Sequence, residues 1–162
     1  MLATRQGAGV FVTALDVPEG LDAMLRRADI ETVIEARIAI EVEASALAAK
    51  RRTTADLHEM RRAADARDAQ CASIEAHVDA DTALHRSIVV AAHNEILTEL
   101  FDGFAPRSRK AMIGMLQRRG EFGSDSDQLV HSRILDAIAA QDATAAAELT
   151  RAHLLDLEAS VA

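Results

Sequence analysis

The 162-residue chain has no tryptophan and no tyrosine, and only four phenylalanines. With so few large rings, its apolar mass has to come from Ala, Leu, Ile and Val, and hydrophobic residues still make up 49% of the chain. Proline is as scarce: Pro18 and Pro106 are the only two, and glycine occurs seven times. A chain poor in both breakers and rich in alanine, the best helix former, is expected to be all-α. The one cysteine, Cys71, excludes an internal disulfide and fits a reducing compartment. In its helical setting it reads as a partly buried packing residue rather than a reactive thiol. There is no run of about 18 apolar residues, so no membrane span is expected. The N-terminus, with Arg5 and the short apolar run Val10–Val12, does not make a secretory signal, and a cytoplasmic location is expected. The formal charge of −8 argues against this chain gripping a nucleic-acid backbone by itself.

What is present is helical periodicity. One domain of this length buries roughly two-thirds of its unfolded surface. The expected fold is an antiparallel bundle of about six to seven helices with a short N-terminal β remnant. Residues 1–14 differ from the rest: Gln6-Gly7-Ala8-Gly9 followed by Val10-Phe11-Val12-Thr13 reads as a turn feeding a strand. Such a strand is either a frayed end or the last strand of a hairpin whose first part is missing. Residues 15–29 read as a linker or first helix, with Asp16-Val17-Pro18-Glu19-Gly20 as the linker by composition. Residues 30–162 form the helical domain.

Within it, Val33, Ile34, Ile38, Val42, Ala46 and Ala49 mark a long helix from Ile30 to Arg52, with Arg37 and Glu41 as a flanking pair, solvated or at an interface. Thr53, with Asp56 at the third helical position, opens a helix to about Gln70. Its thin apolar face (Leu57, Met60, Ala64) suits the outside of the bundle. Ser73 caps the next helix, and Asn94 ends it or caps the one after. That one, Ile96 to about Gln117, is expected to kink or break at Gly103 and Pro106. Ser124 or Ser126 caps a helix through Gln141, and Asp142 caps the last, Ala143 to about Ala159.

The chemistry lies where this pattern is violated. The stripe Ile74, Val78, Ile88, Ala92 passes through Asp81 and His85, where hydrophobes are expected. His131 falls in line with Ile134, Leu135 and Ile138, and His153 with Ala146, Leu149 and Leu157. Each is then an inward-facing polar group, costly unless partnered. Two readings remain open: hydrogen-bonded core residues, or a metal site of one carboxylate and three neutral imidazoles. Such a set suits zinc first, with nickel, manganese or iron as alternatives. His58 and His77 fall off the stripes and are expected to be exposed, and His93 sits at a helix end. Asn94 reads from its own position as a plain cap.

The order Glu35-x-Arg37-x-x-x-Glu41, Asp81-x-x-x-His85, Ala91-x-x-Asn94-x-x-Leu97, His131-x-x-Ile134-x-x-Ala137-Ile138, Asp142 and His153 resembles a known family. It is similar to the ligand-sensing (FCD) domain of the FadR-type branch of the GntR bacterial transcription regulators, over about residues 30–160. The resemblance implies a homodimeric all-helical domain in which Asp81, His85, His131 and His153 hold a divalent metal. That metal helps bind a small carboxylate effector and couples it to DNA affinity. Arg37 and Asn94 match positions that face the effector cavity. Leu84 departs from the pattern, because an aromatic residue usually precedes the first histidine. Residues Arg5 to Val12 resemble the wing tip and last strand of a winged helix-turn-helix, whose recognition helix would lie upstream of Met1. The chain reads as a fragment or as a regulator without its DNA-reading half, and no specific DNA binding is expected of it.

Two other functions compete with this one. A metal-dependent hydrolase or lyase could use an open coordination position, but every well-placed acid or base is already assigned. A metal-free helical interaction module would need no site at all.

Overall fold

The computed structural model describes residues 30–69 and 72–161, together with strands β1 (Leu2–Thr4) and β2 (Val10–Val12). Six helices follow: α1 (Ile30–Arg51), α2 (Thr54–Asp68), α3 (Ile74–Ala91), α4 (Glu95–Arg119), α5 (Asp125–Ala139) and α6 (Ala143–Val161). The fold is the expected all-α bundle. The strand at Val10, read as a frayed end or as the last strand of a hairpin whose first part is missing, has its partner within the chain: β1 pairs with it antiparallel, Leu2 opposite Val12 and Thr4 opposite Val10. Leu2-Ala3-Thr4 is too short a run to show strand periodicity. The linker or first helix expected over residues 15–29, the turn at Gln6–Gly9 and Cys71 lie outside the described residues.

Helix α1 is the hub, packed against α3, α4, α5 and α6. That explains a correction. Arg37 and Glu41, expected on a solvated or interface flank, are 4% and 2% exposed. With neighbours on so many sides, α1 has little face left for water. Its small residues Ala48 and Ala49 are buried with Ala146 of α6, and the Ser45 hydroxyl donates to the Ala146 carbonyl at 3.2 Å.

The helix ends follow side-chain chemistry. Thr53 and Asp56 close a full capping box on α2, and Ser73 accepts from Ala76 N–H at the start of α3. Asn94 caps α4 by accepting from the N–H groups of Ile96 and Leu97. Ser124, not Ser126, caps α5, and Asp142 accepts from Ala145 N–H at the start of α6. The basic end of α1 serves its neighbours. Arg51 donates to the Ala92 carbonyl at 2.9 Å and Arg52 to Ala139 at 2.7 Å, filling the orphan acceptors at the ends of α3 and α5. Thr53→Ala, which removes the side-chain half of the capping box, is expected to lower stability by about 1 kcal/mol in chemical denaturation.

The expected break at Pro106 is absent: α4 runs unbroken from Glu95 to Arg119 with the proline inside it. An interior proline costs about 3 kcal/mol. Burial of Phe101, Phe104, Met115 and Leu116 on both sides offsets that cost.

The buried apolar residues form separate clusters, and the polar residues lie between two of them. On α1, Arg37 and Glu41 fall between Ile34 of one cluster and Ala48 of the other. On α3, Asp81 lies between Val78 of the first and Leu84 of the second, and His85 is buried beside Leu84. On α6, His153 falls between Ala146 and Leu154. The interior is thus split by a polar layer that α1, α3 and α6 supply.

Candidate metal centre

Asp81 and His85 stand one turn apart on α3, and α5 and α6 bring His131 and His153 to the same place. One ligand-capable atom each of His85, His131 and His153 lies within 4.8 Å of the others. The Nε2 atoms of His85 and His131 are 3.2 Å apart. Two imidazole nitrogens on one tetrahedral zinc sit about 3.3 Å apart, so this pair already has a chelating separation. His153 packs against both rings, with centroids 5.4 Å from His85 and 4.5 Å from His131. Asp81 borders the triad, Oδ1 lying 3.5 Å from His131 Nε2 and Oδ2 3.8 Å from His85 Nε2.

The groups behind these rings fix their orientation. His85 Nδ1 is 2.7 Å from Glu41 Oε2, and His131 Nδ1 donates to the Asp127 carbonyl at 2.8 Å. Each contact holds the Nδ1 proton and leaves Nε2 as the free donor atom, as is usual for imidazoles that bind metals. Glu41 is anchored in turn by Arg37 Nε at 2.6 Å, and Arg37 Nη1 reaches Ser108 Oγ at 3.1 Å. Arg67 of α2 is the other cation. Its Nε donates to Asp81 Oδ1 at 2.6 Å, while its Nη atoms meet Asp127 and Gln128.

Two of these residues were hidden in the sequence. Glu41 belonged to what reads as an ordinary surface pair. Arg67 lies on a helix expected to cover the outside; it is 2% exposed. A signal existed, since Arg67 follows Met60 and Ala64 on the buried stripe of α2 at helical spacing.

His77 was expected to be exposed and is not: it is 5% exposed, with Phe122 of the α4–α5 connection against its ring. It stands four residues before Asp81, on the face that turns inward. His58 is exposed, and His93 is an exposed partner of Asp56 at 2.9 Å.

A cavity of about 710 Å³ opens beside the cluster, its wall including Arg67, Asp81, Asp127 and His153. Arg37 and Asn94, expected to face it, do not line it. Arg37 is held inside by Glu41 and Ser108, and Asn94 is occupied as a helix cap. Leu84 is fully buried in an apolar cluster.

Burial favours the neutral form of two of the imidazoles, His131 and His153. Burial, reinforced by His85, pushes His131 down to about 4 and His153 to about 3. Burial works to raise Glu41, but Arg37 and His85 hold it at about 2; Asp81 is held well below the usual range by His85, His131 and Arg67. In the unfolded chain His131 and His153 take up protons below about pH 6.5, whereas in the folded chain these two resist until about 4 or lower. Below about pH 4.5 the two carboxylates act in the same direction. Stability of the metal-stripped chain should therefore fall with acidification, by on the order of 3 kcal/mol from pH 7 to pH 4.5. Thermal melts at several pH values check this, and a flat or rising melting temperature contradicts it.

The bundle thus carries an open cavity walled partly by ionisable side chains. The family model for the FCD domain matches residues 32–156. The chain belongs to the FCD domain family, the effector-binding domain of GntR-type transcriptional regulators. It is 24% identical to the HTH-type transcriptional regulator LutR of Bacillus subtilis (strain 168) over 168 residues, covering 98% of this chain and 76% of that protein. In fold it is similar to Streptococcus agalactiae GntR, with a TM-score of 0.70 at 19% identity, covering 98% of this chain and 74% of the other. A GntR-family transcriptional regulator from Pseudomonas syringae pv. tomato str. DC3000 also gives a TM-score of 0.70, at 17% identity, covering 99% of this chain and 62% of the other. These relatives are regulators, and the hydrolase or lyase alternative is set aside. Among the described residues no helix is long and apolar enough to cross a membrane.

Proposed function

We propose that the domain senses a small organic acid at a divalent metal, zinc first, held by Asp81, His85, His131 and His153. The observation that carries this reading is the convergence of two buried imidazoles, His85 and His131, and the partly buried His153 within 4.8 Å beside a cavity. The donor set fits a borderline ion: Nε2 of His85 and His131 is left free by the Nδ1 contacts, and Asp81 Oδ2 is not the oxygen that Arg67 takes. When bound, the ion would supply a Lewis-acidic position for an incoming carboxylate.

The residues of the chain set the preference for an anion. Asp81, Glu41 and Asp127 face Arg37 and Arg67, a formal balance of −1 that a divalent ion turns to +1. In a cavity of low dielectric that sign favours an acid over a neutral analogue. Arg67 links the site to α2 through Asp81, so an acid that draws on Arg67 also loosens the hold of α2 on α5. The domain acts as a homodimer in the cytoplasm, and effector binding shifts the paired arrangement that a winged helix-turn-helix reads as half-site spacing. The β1–β2 hairpin is in keeping with the wing of such a module.

Thermal shift with a panel of carboxylic acids, on zinc-loaded and metal-stripped protein, tests the reading. At least one acid should raise the melting temperature of the loaded form only. Equal shifts in both forms, or none in either, would overturn it.

A further inference from the structure

Position 77 is outside the metal set and outside every residue the family resemblance assigns. His77 is nonetheless 5% exposed, lines the 710 Å³ cavity, and has a buried Nδ1 atom with no hydrogen-bond partner. An unpaired buried polar atom of this kind costs about 1–3 kcal/mol, which a hydrogen-bonding ligand recovers. Its surroundings hold the ring in place. Phe122 packs on it with centroids 5.3 Å apart, and Gly123, at φ 69°, passes so near that a Cβ there would meet the ring at 3.6 Å. The α4–α5 connection thus flanks the Cε1–Nδ1 edge of the imidazole, with Nδ1 3.8 Å from that Cβ position, and the residue lines the cavity. Arg119 and Ser126 also line this cavity.

His77, Asp81 and His85 are spaced four residues apart on one helix, so successive side chains stand about 6 Å further along its axis. A group at the metal end and a group at His77 are therefore separated by roughly the length of a five- or six-carbon chain. We infer that His77 is a specificity-determining residue for the far end of the effector, and that the effector class is a linear dicarboxylate of about five to six carbons. This rests on the sensing reading above. One carboxylate occupies the metal end, and Nδ1 of His77 donates to the other. A monocarboxylate of equal length would leave Nδ1 unpaired and place a methyl group against it.

The test is calorimetric titration of zinc-loaded protein with glutarate and with pentanoate, which have the same number of carbons and differ at one end. Wild type should bind glutarate at least about tenfold more tightly, the value of one hydrogen bond to a charged group. His77→Phe, which keeps the packing on Phe122 but removes Nδ1, should lose that preference and leave zinc stoichiometry and pentanoate binding unchanged. His77→Asn, whose amide can stand where Nδ1 stood, should keep most of it. As a readout on the unmutated chain, the ¹⁵N resonance of His77 Nδ1 should move on adding glutarate and stay put with pentanoate. Equal binding of the two acids by wild type, or an unchanged preference in His77→Phe, overturns the assignment and makes His77 a packing residue. If zinc binds and neither acid does, the dicarboxylate assignment falls, and the organic-acid reading falls with it only if no acid of the thermal-shift panel acts on the loaded form.

Discussion

Replacing His131 by alanine should weaken zinc binding by about 10²–10³-fold. An apparent zinc affinity of about 10–16 kcal/mol, shared evenly over four protein ligands, is roughly 2.5–4 kcal/mol for each. His131 is held at both ring nitrogens. Its Nδ1 is tied to the Asp127 carbonyl, and its Nε2 lies 3.2 Å from that of His85. The readout is competition of zinc against a chelator, with the zinc-induced rise in melting temperature as a second measure. His58→Ala, at an exposed position, is the control and should leave both values unchanged. Without zinc, His131→Ala should melt within a few degrees of the parent, because the loss of one hydrogen bond is partly offset by relief of a buried polar group. A variant that bound zinc like the parent would show that the imidazoles are core residues satisfying one another.

The second large effect concerns stability. Arg37→Met removes the cation that holds Glu41, leaving a carboxylate 2% exposed with only His85 beside it. Breaking a buried pair from one side costs about 3–5 kcal/mol, which in a domain of this size lowers the melting temperature by roughly 10 °C. The paired change Arg37→Met with Glu41→Met should recover much of the loss, because both charges then leave the interior. Zinc affinity separates the two variants differently. The double variant lacks the carboxylate that orients His85 and should bind zinc about 10–100-fold more weakly. If the single variant melts like the parent, the Arg37–Glu41 pair is not the buried strut described above.

These two predictions also show what the sequence could and could not tell. Asp81, His85, His131 and His153 were legible because each interrupts an apolar stripe, and a polar residue at a core position is conspicuous. The helix starts were legible for a similar reason: a cap is a local bond between a side chain and a backbone three residues on, as at Thr53, Ser73 and Ser124. Arg37 and Glu41 were not, since an i,i+4 pair looks the same whether the helix faces water or, like α1, is surrounded. His77 depended on a connection, Phe122 and Gly123, folding back over α3 from more than 40 residues away. Local pattern carries no record of such a contact. The helix does not break at Pro106, because buried phenylalanines and Met115 on either side offset the local cost of the proline, and propensity alone does not register them. Position in the cavity was the least legible feature. Arg37 and Asn94 occur at the expected places in the chain, yet their side chains are bound elsewhere.

X-ray absorption at the zinc edge, on protein loaded with one equivalent of zinc, tests the central claim most directly. The account predicts a four- or five-coordinate ion with three imidazole nitrogens at about 2.0–2.1 Å and at least one oxygen at about 2.0–2.2 Å. It also predicts that the imidazole scattering falls by about a third in His153→Ala. Zinc that failed to bind stoichiometrically, or a shell of oxygen alone with no imidazole signature, would contradict it.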